Sequence, residues 1–149
     1  MKPLFILLGV FIIGLIATKL FMGEFAYLLS GRIAMAVMLL FTAMGHFAFT
    51  KGMILMMPDF IPFKKQLVYG TGLIEIAAAI GLLLPRLHEI TGCLLILFFI
   101  CILPANINAA LRHIDIEKGT YEGPGAKYLW FRIPLQLLFI IWVYWFALR

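Results

Sequence analysis

The chain has 149 residues, of which 64% are hydrophobic and only 13% charged, with a mean hydropathy of +1.09 and a formal net charge of +5. A soluble domain carries about 45–50% apolar and about 25% charged residues, so these values exclude one and point to an integral membrane protein. The positive charge does not indicate nucleic-acid binding, because the Lys and Arg residues are scattered at the ends of apolar runs, where such side chains meet lipid headgroups.

A membrane-crossing helix takes about 20 apolar residues. Four or five such spans fill these residues and leave no room for a soluble domain among them, so 1–149 reads as a single membrane domain. Span one is Leu4 to about Phe21, LFILLGVFIIGLIATKLF. The run is long and no small-x-small site follows it, which favours a retained span; the alternative is a cleaved signal peptide. Span two covers about residues 30–50, with an extension to Met57 as the alternative and Ser30 as a reasonable N-cap. PDFIPFKK, residues 58–65, then reads as a loop, because two prolines and two lysines are costly in hydrocarbon.

Span three is 66–84 and ends at Pro85-Arg86. Span four is about 89–103 and ends at PANIN, with Asn106 and Asn108 closing it. It holds both cysteines, Cys93 and Cys101. Eight residues apart, these lie about 12 Å apart along a helix, too far for a disulfide. A polar stretch from Ala110 to Lys127 contains the turn Gly123-Pro124-Gly125. Span five is 128–148, with Trp130, Trp142, Tyr144 and Trp145 placed for aromatic belts at the two interfaces.

Small residues such as Gly31, Ala34, Gly72, Ala78 and Ala79 in spans two and three let helices approach closely in lipid, so these two spans are expected to pack together. With five spans, the N-terminus shares a side with the 51–65 and 109–127 loops. That side carries eight Lys or Arg residues (Lys2, Lys51, Lys64, Lys65, Arg112, Lys118, Lys127 and Arg132) against four on the other (Lys19, Arg32, Arg86, Arg149). The bias places the N-terminus in the cytoplasm and the C-terminus outside.

Glu75 stands in the middle of the apolar stretch GTGLIEIAAAIGLLLP. A charge at the bilayer centre costs about 2.5–3.5 kcal/mol on insertion scales, so it is expected to face the bundle interior and to have a partner. Counting from Gln66, Glu75 lies about 13–14 Å from the cytoplasmic end at 1.5 Å per residue. His46, Asn106, Arg132 and Gln136 fall in the same half, and Arg132 and His46 are the expected partners. Structural readings stand beside the functional ones. A Glu75–Arg132 ion pair would fix helix register, His46 would serve an interhelical hydrogen bond, Arg132 would hold a headgroup phosphate, and the two asparagines would cap span four. Pro104 and Pro134 are expected to kink their helices. The spans hold no nucleophile–base–acid set and no pair of carboxylates, and there is no glycine-rich phosphate loop. Any chemistry would lean on a cofactor or a partner.

GHFAFTKGMILMMPDFIP, LVYGTGLIEIAAAIGLLLPR, LFFICILPANINAAL and LWFRIPLQLLFIIWVYWF, in this order, resemble the four characteristic segments of the DoxX family of integral membrane proteins. The resemblance covers about Arg32 to Phe146. It implies an all-α fold, a four-helix core over residues 30–148, with Leu4–Phe21 added in front as an extra transmembrane helix. It also implies His46, Glu75, Asn106, Arg132 and Gln136 as the polar positions. DoxX-like proteins resemble a subunit of a thiosulfate:quinone oxidoreductase, and the wider superfamily resembles a receptor assembly factor that is no enzyme.

Two readings follow. In the first, a quinone or similar flat lipophilic ligand binds at His46, Asn106, Arg132 and Gln136, and Glu75 relays a proton. Electrons would come from a soluble redox partner docked on the basic loops of a protein in a bacterial inner membrane. In the second, the chain is a non-catalytic scaffold or assembly factor whose polar cluster is structural, possible as a homo-oligomer. Small-solute or proton transport fits less well, because one polar cluster beside a dry outer half is not the layout of a through-path.

Overall fold

In hydrocarbon a chain must satisfy its backbone hydrogen bonds internally, and helices do this segment by segment. The structure, a computed structural model, describes residues 2–149. It contains α1 (Lys2–Met22), α2 (Tyr27–Ala48), a short α3 (Thr50–Met56), α4 (Lys64–Leu83), α5 (His88–Leu111) and α6 (Leu129–Val143). A 3-10 turn (Gly125–Tyr128) leads into α6 and a π-type turn (Tyr144–Leu148) extends it. Five segments, Lys2–Met22, Tyr27–Ala48, Lys64–Leu83, His88–Leu111 and Gly125–Leu148, are 20 to 24 residues long and apolar enough to cross a membrane. At 1.5 Å per residue, 20 residues match a hydrocarbon core of about 30 Å. Among the described residues there is no β-strand, only an isolated bridge between Asp115 and Thr120. The chain is an all-helical, multi-pass membrane protein.

Lipid tails are as apolar as leucine, so close packing rather than water exclusion holds such helices together. The small residues set where this happens. α2 packs most extensively on α4 and on α1. At Gly72 an added Cβ would press on the Cβ of His46 at 2.9 Å, so only glycine lets α2 lie this near α4. The core is built from Ala34, Met35, Met38 and Leu39 of α2, Ala78, Ala79 and Leu82 of α4, Leu95 and Phe99 of α5, and Phe139 and Val143 of α6. α1 contributes Leu7, and its Phe11 meets Trp142 edge-on at 5.0 Å. Most of its other side chains face outward.

Contacts between loops fix which segments share an end. Lys2 Nζ lies 2.6 Å from Glu117 Oε1. Arg112 pairs with Asp59, which also lies 3.4 Å from Lys64 Nζ. Asn108 Nδ2 donates to the Met56 carbonyl at 2.8 Å. The start of α1, the segment 49–63 and the segment 112–124 therefore sit together. At the other end, His88 Nδ1 is 2.9 Å from the Ala147 carbonyl.

The structure corrects several local expectations. Ser30 is not an N-cap: α2 starts at Tyr27, and Ser30 is buried in its first turn. Lys64 and Lys65 open α4 rather than closing the preceding loop. α5 does not stop at Leu103 but runs through Pro104 to Leu111, so Asn106 and Asn108 lie inside the helix and cap nothing. Pro104 removes only the hydrogen bond to the carbonyl one turn back, and neighbouring helices in a membrane bundle tolerate that loss. Trp142 is no belt residue: its Nε1 donates to the Gly31 carbonyl at 3.0 Å, tying α6 to α2. Trp130, 87% exposed, does point outward.

Candidate functional site

Two polar walls are built on opposite helix pairs. The first belongs to α2 and α4. Because residue 72 is glycine, His46 lies flat enough on α4 for its ring to reach the backbone. Its Nδ1 is 2.9 Å from the Val68 carbonyl and 3.0 Å from Thr71 Oγ1. A carbonyl only accepts, so Nδ1 carries a hydrogen. The other ring nitrogen, Nε2, lies 3.4 Å from Glu75 Oε1. Thr71 and Glu75 are four residues apart and share a helix face. Glu75 is only 5% exposed, and its Oε2 is buried with no hydrogen-bond partner among the described residues.

The second wall belongs to α5 and α6, where Arg132 and Gln136 are again one turn apart. Arg132 Nη1 donates to Asn106 Oδ1 at 2.5 Å. Asn106 Nδ2 donates to Gln136 Oε1 at 3.4 Å, and Gln136 Nε2 donates to the Phe99 carbonyl at 2.7 Å. The direction of this chain is determined at both ends, since a guanidinium only donates and a carbonyl only accepts. Asn106 and Gln136 are 6% and 7% exposed, so each needs the partners it has. Arg132 also sits over the Tyr128 ring, 5.3 Å from its centroid. No carboxylate among the described residues pairs with Arg132.

The expected Glu75–Arg132 ion pair is therefore not formed. Glu75 meets His46, and Arg132 meets Asn106. Position along each helix puts them at similar depth, but the helix faces place them on different walls. What they share is the space between. A cavity of about 850 Å³ is lined by His46, Glu75, Asn106, Arg132 and Gln136 together. The rest of its surface is mostly apolar, with Met38, Met53, Met56, Phe41, Phe98, Phe99 and Phe139 among it, and Thr42, Thr71, Asp115 and Tyr128 add further polar groups. Lys2, Pro3, Ile116 and Glu117 border it at the loop end. Pockets of about 300–1,000 Å³ with an apolar lining and a few convergent polar groups are the usual shape of small-molecule sites.

Thr71 and Tyr128 were not singled out from the sequence, although each stands one turn before a residue that was. The lining methionines and phenylalanines carried no signal, since such residues are everywhere in an apolar chain. Among the described residues no group of three His, Cys, Asp or Glu is placed to hold a metal ion. Cys93 and Cys101 are free and exposed on α5, away from the cavity lining.

Fold and site together define a multi-pass helical membrane protein with a partly open, largely apolar cavity polar at two walls. The family model described as a domain of unknown function (DUF8561) matches residues 35–147, most of the chain, and the chain belongs to that family. No curated protein and no solved structure matches it.

Proposed function

We propose that this protein binds a quinone or a similar flat, lipophilic small molecule in its cavity and serves as the membrane component of a redox system. The observation that carries the reading is the cavity itself: about 850 Å³, mostly apolar with several methionines and aromatic rings, and with His46, Glu75, Asn106, Arg132 and Gln136 brought to it from four helices. The resemblance of four segments to the DoxX family supports it, and with it a DoxX-like core over residues 30–148 preceded by α1.

A bound quinone supplies an acceptor for electrons and protons. The residues of this chain supply recognition and a proton site. Arg132, already oriented by Asn106, has further N–H groups to donate to a carbonyl. Thioether sulfurs and ring edges hold a flat apolar body without demanding one shape. Glu75 Oε1 lies 3.4 Å from His46 Nε2, and this pair is the group able to take up a proton and pass it on. Electrons come from a soluble partner on the end carrying Lys51, Lys65, Lys118 and Lys127. In this reading that end is cytoplasmic, the C-terminus lies outside, and the membrane is a bacterial inner membrane.

The test is equilibrium binding of a short-chain quinone to the purified protein, followed by quenching of tryptophan fluorescence. Saturable one-to-one binding is expected, weakened at least tenfold in Arg132→Leu. Absence of saturable binding to the wild-type protein would overturn the reading.

A second reading is favoured by one observation: the same polar residues tie helices together, His46 joining α2 to α4 and Arg132 and Gln136 joining α6 to α5. A scaffold with an internal polar clamp needs nothing more. In that case Glu75→Gln lowers thermal stability and co-purification with partner proteins together, and the purified chain takes up no ligand.

A further inference from the structure

At the loop end the edge of the cavity is shared between a segment that is firmly held and one that is not. We propose that the first turn of α1 is a lid on the cavity, held shut by the Lys2–Glu117 ion pair, and that exchange between the cavity and its surroundings is controlled there. This goes beyond the proposed function and does not depend on which molecule occupies the cavity.

The firm side is the 115–117 segment. Asp115 Oδ1 accepts from the backbone N–H groups of Glu117 and Lys118 at 3.0 and 3.1 Å, and the Gly119 N–H donates to the Asp115 carbonyl at 2.8 Å. An aspartate that bonds the backbone two and three residues on holds its own turn in shape. The turn is also seated on α3. A Cβ at Gly52 would collide with the Ile116 carbonyl, so only glycine lets the Ile116 backbone lie against that helix. Glu117 is therefore presented from a rigid base.

The α1 side is held elsewhere along its length. Its close approach to α2 comes at Gly14, where an added Cβ would stand 3.2 Å from Ser30 Cβ, whereas at Gly9 an added Cβ meets nothing within 4 Å. Thr18 Oγ1 accepts from the Ala26 N–H at 3.2 Å, and the Phe11 ring lies 5.0 and 5.3 Å from those of Trp142 and Phe146. Leu7 is the first fully buried residue of the helix. Residues 2–5 precede all these anchors. Among the described residues, their one polar contact with another segment is Lys2 Nζ to Glu117 Oε1 at 2.6 Å. The first N–H groups of a helix have no partner within it, and a terminal turn frays at little cost. Lys2 and Pro3 border the cavity on one side and Ile116 and Glu117 on the other, so the ion pair bridges its edge. The two side chains are 65% and 57% exposed, which puts the pair on the outer rim. An ion pair so exposed shifts an equilibrium only a few-fold and weakens with salt, so this strap opens readily.

The experiment follows entry of a small reagent into the cavity of the purified full-length protein. With Cys93→Ala and Cys101→Ala removing the native thiols, Thr42→Cys places one thiol on the cavity wall. Thr42 Oγ1 bonds only to carbonyls of its own helix, so this exchange disturbs no contact between helices. The probe is iodoacetamide, which is neutral, so charge changes at the rim do not alter its approach. Its reaction rate reads the fraction of molecules in which the cavity is open. Glu117→Lys sets two ammonium groups face to face and is expected to speed labelling at least about threefold, with the melting temperature unchanged. The double exchange Lys2→Glu with Glu117→Lys restores an ion pair and should return the rate to within about twofold of the parent. Raising salt from about 0.01 M to about 1 M should speed labelling of the parent and leave Glu117→Gln unaffected. If Glu117→Lys does not fold, the salt response of the parent against Glu117→Gln decides. Labelling that is the same in every variant, that stays fast in the double exchange, or that never occurs overturns the lid. None of these outcomes bears on whether a quinone binds, which the fluorescence titration decides.

Discussion

Asn106 is the hinge of the second wall: it accepts from Arg132 and donates to Gln136, and no other side chain reaches both. Replacing it with leucine strands a guanidinium and an amide in a mostly apolar site. Each group left unpaired is expected to cost about 1–3 kcal/mol, measured as loss of thermal stability in detergent. Gln136→Leu alone should cost less than Asn106→Leu, because Arg132 then keeps its partner. The first wall is sensitive to volume rather than polarity. Gly72→Val places a side chain against His46 Cβ and should destabilise by about 1–3 kcal/mol through overpacking while moving His46 off the Val68 carbonyl. Loss of the downfield Nδ1–H signal of His46 in Gly72→Val would show the second effect; its retention would contradict it. At this scale the sequence reveals depth but not direction. Glu75 and Arg132 can be ranked by distance from the membrane surface simply by counting residues. Which wall each faces depends on how α4 and α6 are rotated about their axes, and that is set by contacts such as Gly72 on His46, with no local signature.

The long apolar elements were legible, because about 20 apolar residues in a row have few alternatives. The close packing of α2 on α4 was legible too, from the small residues that allow it. The end of α5 was not. Pro104 reads as a terminator in water-soluble chains, yet here the helix continues, held beyond the proline by Asn106 to Gln136 and Asn108 to the Met56 carbonyl. Those partners come from α6 and α3 and cannot be seen in the local sequence. The break that separates α3 from α2 at Phe49 was not legible either, since the apolar residues of α3 continue the run of α2. Between these elements the 57–63 segment is latched to the end of α5 by Asp59. Hydrogen bonds from Arg112 and then Lys64 hold the Asp59 carboxyl below the usual carboxylate range. A carboxyl lowered in the folded state stabilises it above the unfolded value, about 3.9, and loses that contribution as pH falls through the folded value. Exposed pairs are weak, so the effect is local. Amide hydrogen exchange across 57–63 should quicken as pH drops below about 4, after correction for the intrinsic rate. Asp59→Asn should exchange at the faster level already at pH 6. A variant with wild-type protection at both pH values would show that the latch does not hold the segment.

For the whole molecule, the segments that share an end are fixed by Lys2–Glu117 and Asp59–Arg112, and the proposed orientation, which follows the excess of Lys and Arg at that end, puts it in the cytoplasm. A C-terminal alkaline phosphatase fusion is expected to be active and a C-terminal green fluorescent protein fusion dark. The opposite pattern would invert the orientation and move the cavity to the outer half. α1 lies outside the stretch matched by the family model, and it joins the core through Leu7, with Ile6, Val10 and Phe11 packed beside it. It nevertheless brings Lys2 and Pro3 to the border of the cavity, so an element added in front of the matched region reaches the site. The cavity's occupant decides the protein's role. The most direct measurement is native mass spectrometry of the protein released from its own membranes, with the bound species identified by fragmentation. A one-to-one complex with a quinone or similar lipophilic, non-phospholipid molecule is expected, lost in Arg132→Leu. Protein carrying only phospholipid in variable number, unchanged by that substitution, would contradict it.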